Sequence, residues 1–112
     1  MGFAEGVLAI YLYKSIHNLD IMVSVKKMRN ELVKLINAGG NQDLIELSAA
    51  SLKYINKYEN TIRSLNNDKC TQGLLAVRTY ATGGVAGKER KNLRSDINAS
   101  LQRILEGLNE LV

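Results

Sequence analysis

The chain has 112 residues, a net charge of +4 and 46% apolar residues, which excludes wholesale disorder and fits one helical domain over residues 1–112. Its single cysteine, Cys70, excludes an internal disulfide and, with no signal-peptide pattern, predicts a cytoplasmic protein. The longest uninterrupted apolar run, residues 7–13, is far shorter than the ~20 residues of a membrane span, so we expect none.

The first predicted element is a long helix over about residues 3–37. Its apolar residues recur at steps of three and four, the chain has no proline, and the Gly39-Gly40 pair can end the helix. Weak helix formers around Asn18 leave two alternatives open, a continuous helix with a bend near that residue or a break into two helices. The residues predicted to face inward are Val7 or Leu8, Tyr11 or Leu12, Ile16, Leu19, Met22, Val25, Met28, Leu32 and Leu35.

The second predicted helix covers about residues 42–66, and Asn41 can accept its free backbone N–H groups. Glu59 and Arg63 stand four residues apart on it, a spacing that favours an ion pair. Its predicted buried face consists of Leu44, Leu47, Leu52, Ile55, Tyr58, Ile62 and Leu65.

The third predicted element is a short helix over residues 71–82, capped by Asp68 or Thr71. Its β-branched and aromatic residues also have strand propensity. A lone strand would have no pairing partner in a helical chain, so we expect a helix. The residues predicted to line it are Leu74, Leu75, Val77 and Tyr80.

A glycine-rich segment, Thr82–Gly87, predicts a hinge before the last helix. That helix covers about residues 87–111 and has the most regular amphipathic pattern in the chain, with apolar residues at steps of three and four. Its predicted buried face consists of Leu93, Ile97, Leu101, Ile104, Leu108 and Leu111.

Together these elements predict an all-α fold, an antiparallel bundle of three long helices and one short helix. The first helix, if continuous, is longer than its partners of roughly 25 residues, which leaves an apolar end uncovered. A second chain could cover that end, so the sequence predicts a homodimer through the first helix. This prediction requires that the helix does not break near Asn18.

Catalytic or cofactor chemistry has little support in the sequence. His17 is the only histidine and stands far from Cys70, so neither a metal site nor a nucleophile pair is indicated. A phosphate-binding P-loop is excluded because Glu89 follows Gly87-Lys88 where the motif requires Ser or Thr. We therefore expect a protein that is not an enzyme and that holds no metal or cofactor.

A cluster of basic residues at the start of the last helix is a candidate binding site. Cations early in a helix oppose its dipole, so their position directly after the hinge indicates an anion or nucleic-acid contact. Lys26 and Lys27 offer a second contact of the same kind. A solvated helix surface is the competing interpretation. The cluster consists of Lys88, Arg90, Lys91 and Arg94.

These observations favour a small non-catalytic helical protein that acts by protein–protein contacts, as an adaptor, inhibitor, chaperone or immunity-type factor. The alternative is a nucleic-acid-binding accessory protein that uses the basic cluster. The predicted protein interface lies at the start of the first helix and consists of Phe3, Val7, Leu8, Tyr11 and Leu12.

Overall fold

The computed structural model describes residues 2–87 and 92–112, and for residues 2–19 it describes the backbone alone. Helix is the only regular secondary structure in this part of the chain, so the predicted all-α class is confirmed. There are four helices: α1 (Gly2–Gly39), α2 (Leu44–Ser64), α3 (Asp68–Val85) and α4 (Leu93–Glu110).

α1 is one continuous helix of 38 residues. Its backbone passes through Asn18 without a break, which decides between the two alternatives that the sequence left open. Asn and Asp lower helix propensity by only a few tenths of a kcal/mol each, and the long helical segments on either side outweigh that cost.

The prediction of a short third helix is wrong, because α3 and α4 both have 18 residues. α3 begins three residues earlier than expected, where the Asn67 side chain accepts a hydrogen bond from the Cys70 backbone N–H at 3.0 Å. It also continues through Gly83 and Gly84, which were assigned to a hinge. Gly84 is buried against Ser48 of α2, and this packing outweighs the low helix propensity of glycine.

The predicted limits of two other helices also shift. α4 begins at Leu93 rather than residue 87, since Asn92 has a φ of 77°, in the left-handed region, and cannot continue a helix toward its N-terminus. α2 is capped by Asp43 rather than Asn41, through a 2.8 Å hydrogen bond from the Glu46 N–H. In both cases one residue's backbone or side-chain geometry decides the boundary.

The helices form a packed bundle in which each helix contacts the next along the chain and α1 also contacts α4. α1 and α2 are joined by residues 40–43, and α2 and α3 by residues 65–67. Connections this short make consecutive helices antiparallel. Over the residues that the structure describes, no helix is long and apolar enough to cross a membrane.

The apolar residues predicted to face inward supply most of the core. Three of them, Met22, Leu75 and Leu111, are instead well exposed. They lie at the periphery of the buried faces of the bundle. Ser48, Ser51 and Ser100 are buried although no periodicity of apolar residues would include them. The buried apolar residues are Val25, Met28, Leu32, Leu47, Tyr54, Ile55, Tyr58, Ile62, Cys70, Leu74, Val77, Ala81, Leu93, Ile97, Leu101, Ile104 and Leu108.

α2 and α3 are also joined by charge. The predicted ion pair between Glu59 and Arg63 is confirmed at 3.2 Å. The same carboxylate binds Arg78 of α3 at 3.1 Å, a contact that sequence spacing cannot predict. Because these side chains are about one-third to one-half exposed, the pairs contribute little to the free energy of unfolding.

α3 and α4 approach each other closely because glycines stand at their contact. A methyl group added at Gly73 would lie 2.9 Å from the backbone nitrogen of Ile104 and 2.9 Å from the carbonyl oxygen of Ser100. One added at Gly107 would lie 2.8 Å from the backbone nitrogen of Cys70. These distances are shorter than carbon and backbone atoms tolerate, so the crossing requires glycine at both positions.

We expect Gly107→Ala to lower the free energy of unfolding by about 1–3 kcal/mol, because the added methyl overlaps the Cys70 backbone. Gly83→Ala is the matched control. It lies in α3 with no atom within 4 Å of an added methyl, so it should leave stability unchanged or raise it by up to about 1 kcal/mol. Urea unfolding followed by circular dichroism at 222 nm measures both, and equal stability of the two variants would contradict the close crossing.

Candidate functional site

The predicted protein interface lies in the first half of α1. Its residues Phe3, Val7, Leu8, Tyr11 and Leu12 fall in residues 2–19, whose side chains lie outside the described part of the structure. The side chains that come next along α1 are exposed, and Val23 has 67% of its surface accessible. Among the described side chains of α1, which start at Asp20, the first buried one is Val25, followed by Met28 and Leu32. The bundle therefore covers the second half of α1.

The lengths of the helices explain this limit. At 1.5 Å per residue, α1 is about 57 Å long, whereas α2, α3 and α4 are about 27–32 Å long. The whole molecule measures 67 × 21 × 19 Å, and its radius of gyration of 17.6 Å exceeds the about 13 Å of a compact domain of this size. Three helices of that length can flank only about half of α1.

A cluster of charged and aromatic side chains fixes the second half of α1 to α2. The Tyr58 hydroxyl donates a 2.6 Å hydrogen bond to the Glu31 carboxylate, and the Lys57 ammonium lies 3.1 Å from the same carboxylate. Lys57 also lies 5.1 Å from the centre of the Tyr58 ring, within range of a cation–π contact. The Tyr58 hydrogen bond, followed by Lys57, lowers the pKa of Glu31 below its usual value.

Tyr54 makes a second attachment one helical turn away. Its buried hydroxyl donates a 2.9 Å hydrogen bond to the carbonyl oxygen of Met28, and its ring lies 5.1 Å from that of Tyr58. Burial raises the pKa of Tyr54, so the hydroxyl stays protonated and remains a donor. A backbone carbonyl has a fixed position on its helix, and this bond therefore fixes α1 along its axis.

Arg94 makes the third attachment, at the C-terminus of α1. Its guanidinium donates to the carbonyl oxygen of Gly39 at 2.7 Å and to that of Gln42. The last carbonyls of a helix have no partner within the helix, and a cation there also complements the negative end of the dipole. Arg94 thus ties α4 to the α1–α2 turn, across more than 50 residues of chain.

The structure gives a partial view of the predicted basic residues. Lys26 and Lys27 are exposed on α1, as a nucleic-acid contact would require. Lys88, Arg90 and Lys91 lie outside the described residues. Arg94 is described, and two of its five N–H groups are bonded to carbonyl oxygens of its own chain.

Sequence reasoning did not find the roles of Glu31, Tyr54 and Arg94. The spacing of Tyr54 and Tyr58, four residues apart on α2, could have placed both rings on one helical face. No signal in the sequence could have paired Arg94 with Gly39 or Gln42, because the partners are backbone oxygens far along the chain.

Cys70, the only cysteine of the chain, is fully buried between α3 and α4. Burial raises the pKa of its thiol to about 11, so it is protonated at neutral pH and a poor nucleophile. No group of three or more metal-binding side chains comes together among the residues that the structure describes.

Comparison with known proteins returns no match: no family model, no curated protein and no solved structure is similar to the chain.

We expect Glu31→Gln to reduce stability at pH 7 and to have less effect as the pH falls. The pKa of Glu31 is lowered on folding, so its carboxylate stabilises the fold above the unfolded pKa near 4.5. That contribution is lost as the pH falls through the lower folded pKa, and wild type should then approach the variant.

Urea unfolding at pH 7, 5, 4 and 3 measures this difference. Glu106→Gln is the control, since Glu106 pairs with Arg103 on its own helix at an exposed site. A difference between wild type and Glu31→Gln that stays constant over this pH range would contradict the assignment.

We expect Arg94→Ala to lower the free energy of unfolding by about 1.5–3 kcal/mol, since hydrogen bonds to a charged donor contribute about that much. Arg103→Ala, on the same helix, removes an exposed ion pair with Glu106 and an exposed hydrogen bond to Gln72, and should cost about 1 kcal/mol or less. Thermal and urea unfolding of both variants measure these changes. Equal losses of unfolding free energy in the two variants would show that the Arg94 hydrogen bonds to the α1–α2 turn contribute no more than a surface contact.

Proposed function

We propose that this protein is a non-catalytic helical interaction module that binds protein partners through the first half of α1, and that a second copy of the chain is one such partner. The observation that carries the proposal is the length of α1, a continuous helix of 38 residues beside helices of 18–21 residues. The bundle can flank only about half of such a helix.

An unflanked helical segment needs another surface for its stability. Helices below about 12–15 residues are marginal in water, and even a segment of about 20 residues depends mainly on packing of its apolar face. Residues 7–13 form the longest apolar run of the chain. The described apolar residues that follow, Met22 and Val23, are exposed, so the apolar surface continues to the edge of the bundle.

The charges of this segment are compatible with self-association. Residues 2–20 contain two acidic residues, Glu5 and Asp20, and one basic residue, Lys14. Two copies of a nearly neutral segment repel each other little, whereas the remainder of the chain carries the positive net charge. A two-fold symmetric pair of α1 helices would bury the same apolar residues on both subunits.

The attachments at Glu31, Met28 and Gly39 hold the second half of α1 in one position. A helix that continues from this rigid base has its direction set before it meets a partner. Such preorganisation reduces the entropy lost on binding. Interaction modules of this type need a fixed surface rather than reactive groups, which agrees with the buried, protonated thiol of Cys70.

The nucleic-acid alternative stays a prediction. Lys26 and Lys27 are exposed, but Arg94 is bonded to the α1–α2 turn and serves the fold. Charge reversal at Arg94 would disturb that turn, so a loss of oligonucleotide binding in such a variant would not identify a contact. Lys26→Glu/Lys27→Glu is the cleaner test of this alternative, because neither side chain is buried.

Analytical ultracentrifugation over a range of protein concentrations tests the proposed interface. We expect wild type to form dimers and Leu8→Glu/Leu12→Glu to remain monomeric with a bundle that still unfolds cooperatively, because two charges per chain are costly in an apolar helix pair. Leu75→Glu is the control: Leu75 is 49% exposed on α3, so it should dimerise as wild type does.

Two results would contradict the proposal. Wild type that stays monomeric at high concentration would exclude the second copy as a partner. A dimer that survives Leu8→Glu/Leu12→Glu would move the interface away from the first half of α1.

A further inference from the structure

A cleft of about 420 Å³ opens at the opposite end of the bundle from the first half of α1, where the C-terminus of α1, the start of α2 and the first turn of α4 meet. This volume falls within the range of small-molecule sites, about 300–1,000 Å³. One side of the cleft is lined by apolar residues and glycines, and the other side by polar residues of α4. The lining residues are Ile36, Gly39, Gly40 and Leu47 on the first side and Arg94, Ser95 and Asn98 on the second.

The floor of the cleft is apolar, and Gly39 keeps it open. A methyl group added at Gly39 would lie 3.1 Å from a methyl of Leu47, so a side chain there would fill the space. One added at Gly40 would meet no atom within 4 Å. Ile36 is half-buried and thus offers a surface for a short apolar ligand group, whereas Leu47 lines the cleft but is itself buried.

The polar side of the cleft has unused hydrogen-bond donors. Arg94 has five N–H groups, and its bonds to Gly39 and Gln42 use two of them. The Ser95 hydroxyl and the Asn98 amide make no hydrogen bond with any residue that the structure describes. Donors from three neighbouring side chains, one of them cationic, favour an anionic acceptor.

Among the described residues, the hydrogen bonds of Arg94 go to carbonyl oxygens. Asp43, the acidic residue at the same turn, accepts the Glu46 N–H at 2.8 Å; that hydrogen bond and, more weakly, the nearby Arg94 guanidinium lower the pKa of its carboxyl. Asp43 therefore balances part of the positive charge of the guanidinium. One cation within a mostly apolar cleft suits a monoanion, whereas a dianion such as phosphate would need further positive charge.

We propose that this cleft binds a small amphipathic carboxylate, with its apolar body against Ile36 and Leu47 and its carboxylate on Arg94, Ser95 and Asn98. A planar carboxylate matches the fork of the guanidinium, and its two oxygens can accept several donors at once. This site goes beyond the proposed function, because it lies away from the first half of α1 and does not require a dimer.

Octanoate is the probe, and octanamide is its uncharged counterpart of similar shape. Titration of the ¹⁵N-labelled full chain, followed by two-dimensional NMR, gives both the affinity and the location. We expect saturable shifts at Gly39, Gly40, Ser95 and Asn98. Octanamide should bind at least about tenfold more weakly, since a charge-assisted hydrogen bond is about twice as strong as a neutral one.

Ser95→Ala/Asn98→Ala removes two donors from exposed positions and leaves the Arg94 attachment intact, so the variant should fold. We expect its affinity for octanoate to fall by about tenfold. The matched control, Asn60→Ala/Ser64→Ala, changes the same residue types at exposed positions of α2 and should bind as wild type does.

Three outcomes would overturn the proposal. Equal binding of octanoate and octanamide would indicate adsorption of the apolar chain alone. Unchanged affinity in Ser95→Ala/Asn98→Ala would place the carboxylate elsewhere. The absence of saturable shifts at millimolar octanoate would show that the cleft holds no such ligand.

Discussion

The position of α1 is the constraint on which the rest of the molecule depends. An apolar stripe on a helix tolerates small slides and rotations, but directional hydrogen bonds do not. Tyr54 binds the Met28 carbonyl, Tyr58 binds Glu31, and Arg94 binds the Gly39 carbonyl, so α1 has one register against the bundle. That register carries the first half of α1 beyond its shorter neighbours. It also places the end of α1 beside α4, where the cleft forms.

The fold class and most core positions could be predicted from the sequence, because burial on a helix follows a period of 3.6 residues. All five predicted positions of α4 before Leu111 are buried. Helix limits were less predictable, since each depends on one local geometry, such as the left-handed backbone of Asn92. α3 extends through Gly84 because α2 packs against it, and tertiary packing of this kind overrides local propensity.

The contacts of the candidate sites were beyond sequence reasoning. Charge spacing found the pair of Glu59 and Arg63 within one helix, whereas Arg78 reaches the same carboxylate from α3. Arginine is a residue type that often contacts phosphate, but in this fold Arg94 binds backbone oxygens more than 50 residues away. Periodicity describes one helix at a time. It says nothing of which helix ends meet, and the cleft exists only where three of them do.

Because Cys70 is buried, the reactivity of its thiol can be used to measure how often α3 and α4 separate. The Cys70 thiol packs against Gly107 of α4, and its sulfur is 3.6 Å from the Ile104 carbonyl oxygen. A reagent therefore reaches the thiol only after α3 and α4 move apart. Its alkylation rate then equals the intrinsic rate of an exposed thiol multiplied by the fraction of molecules that are open. Since the chain has no second cysteine, that rate gives the free energy of a single opening motion, without any added label.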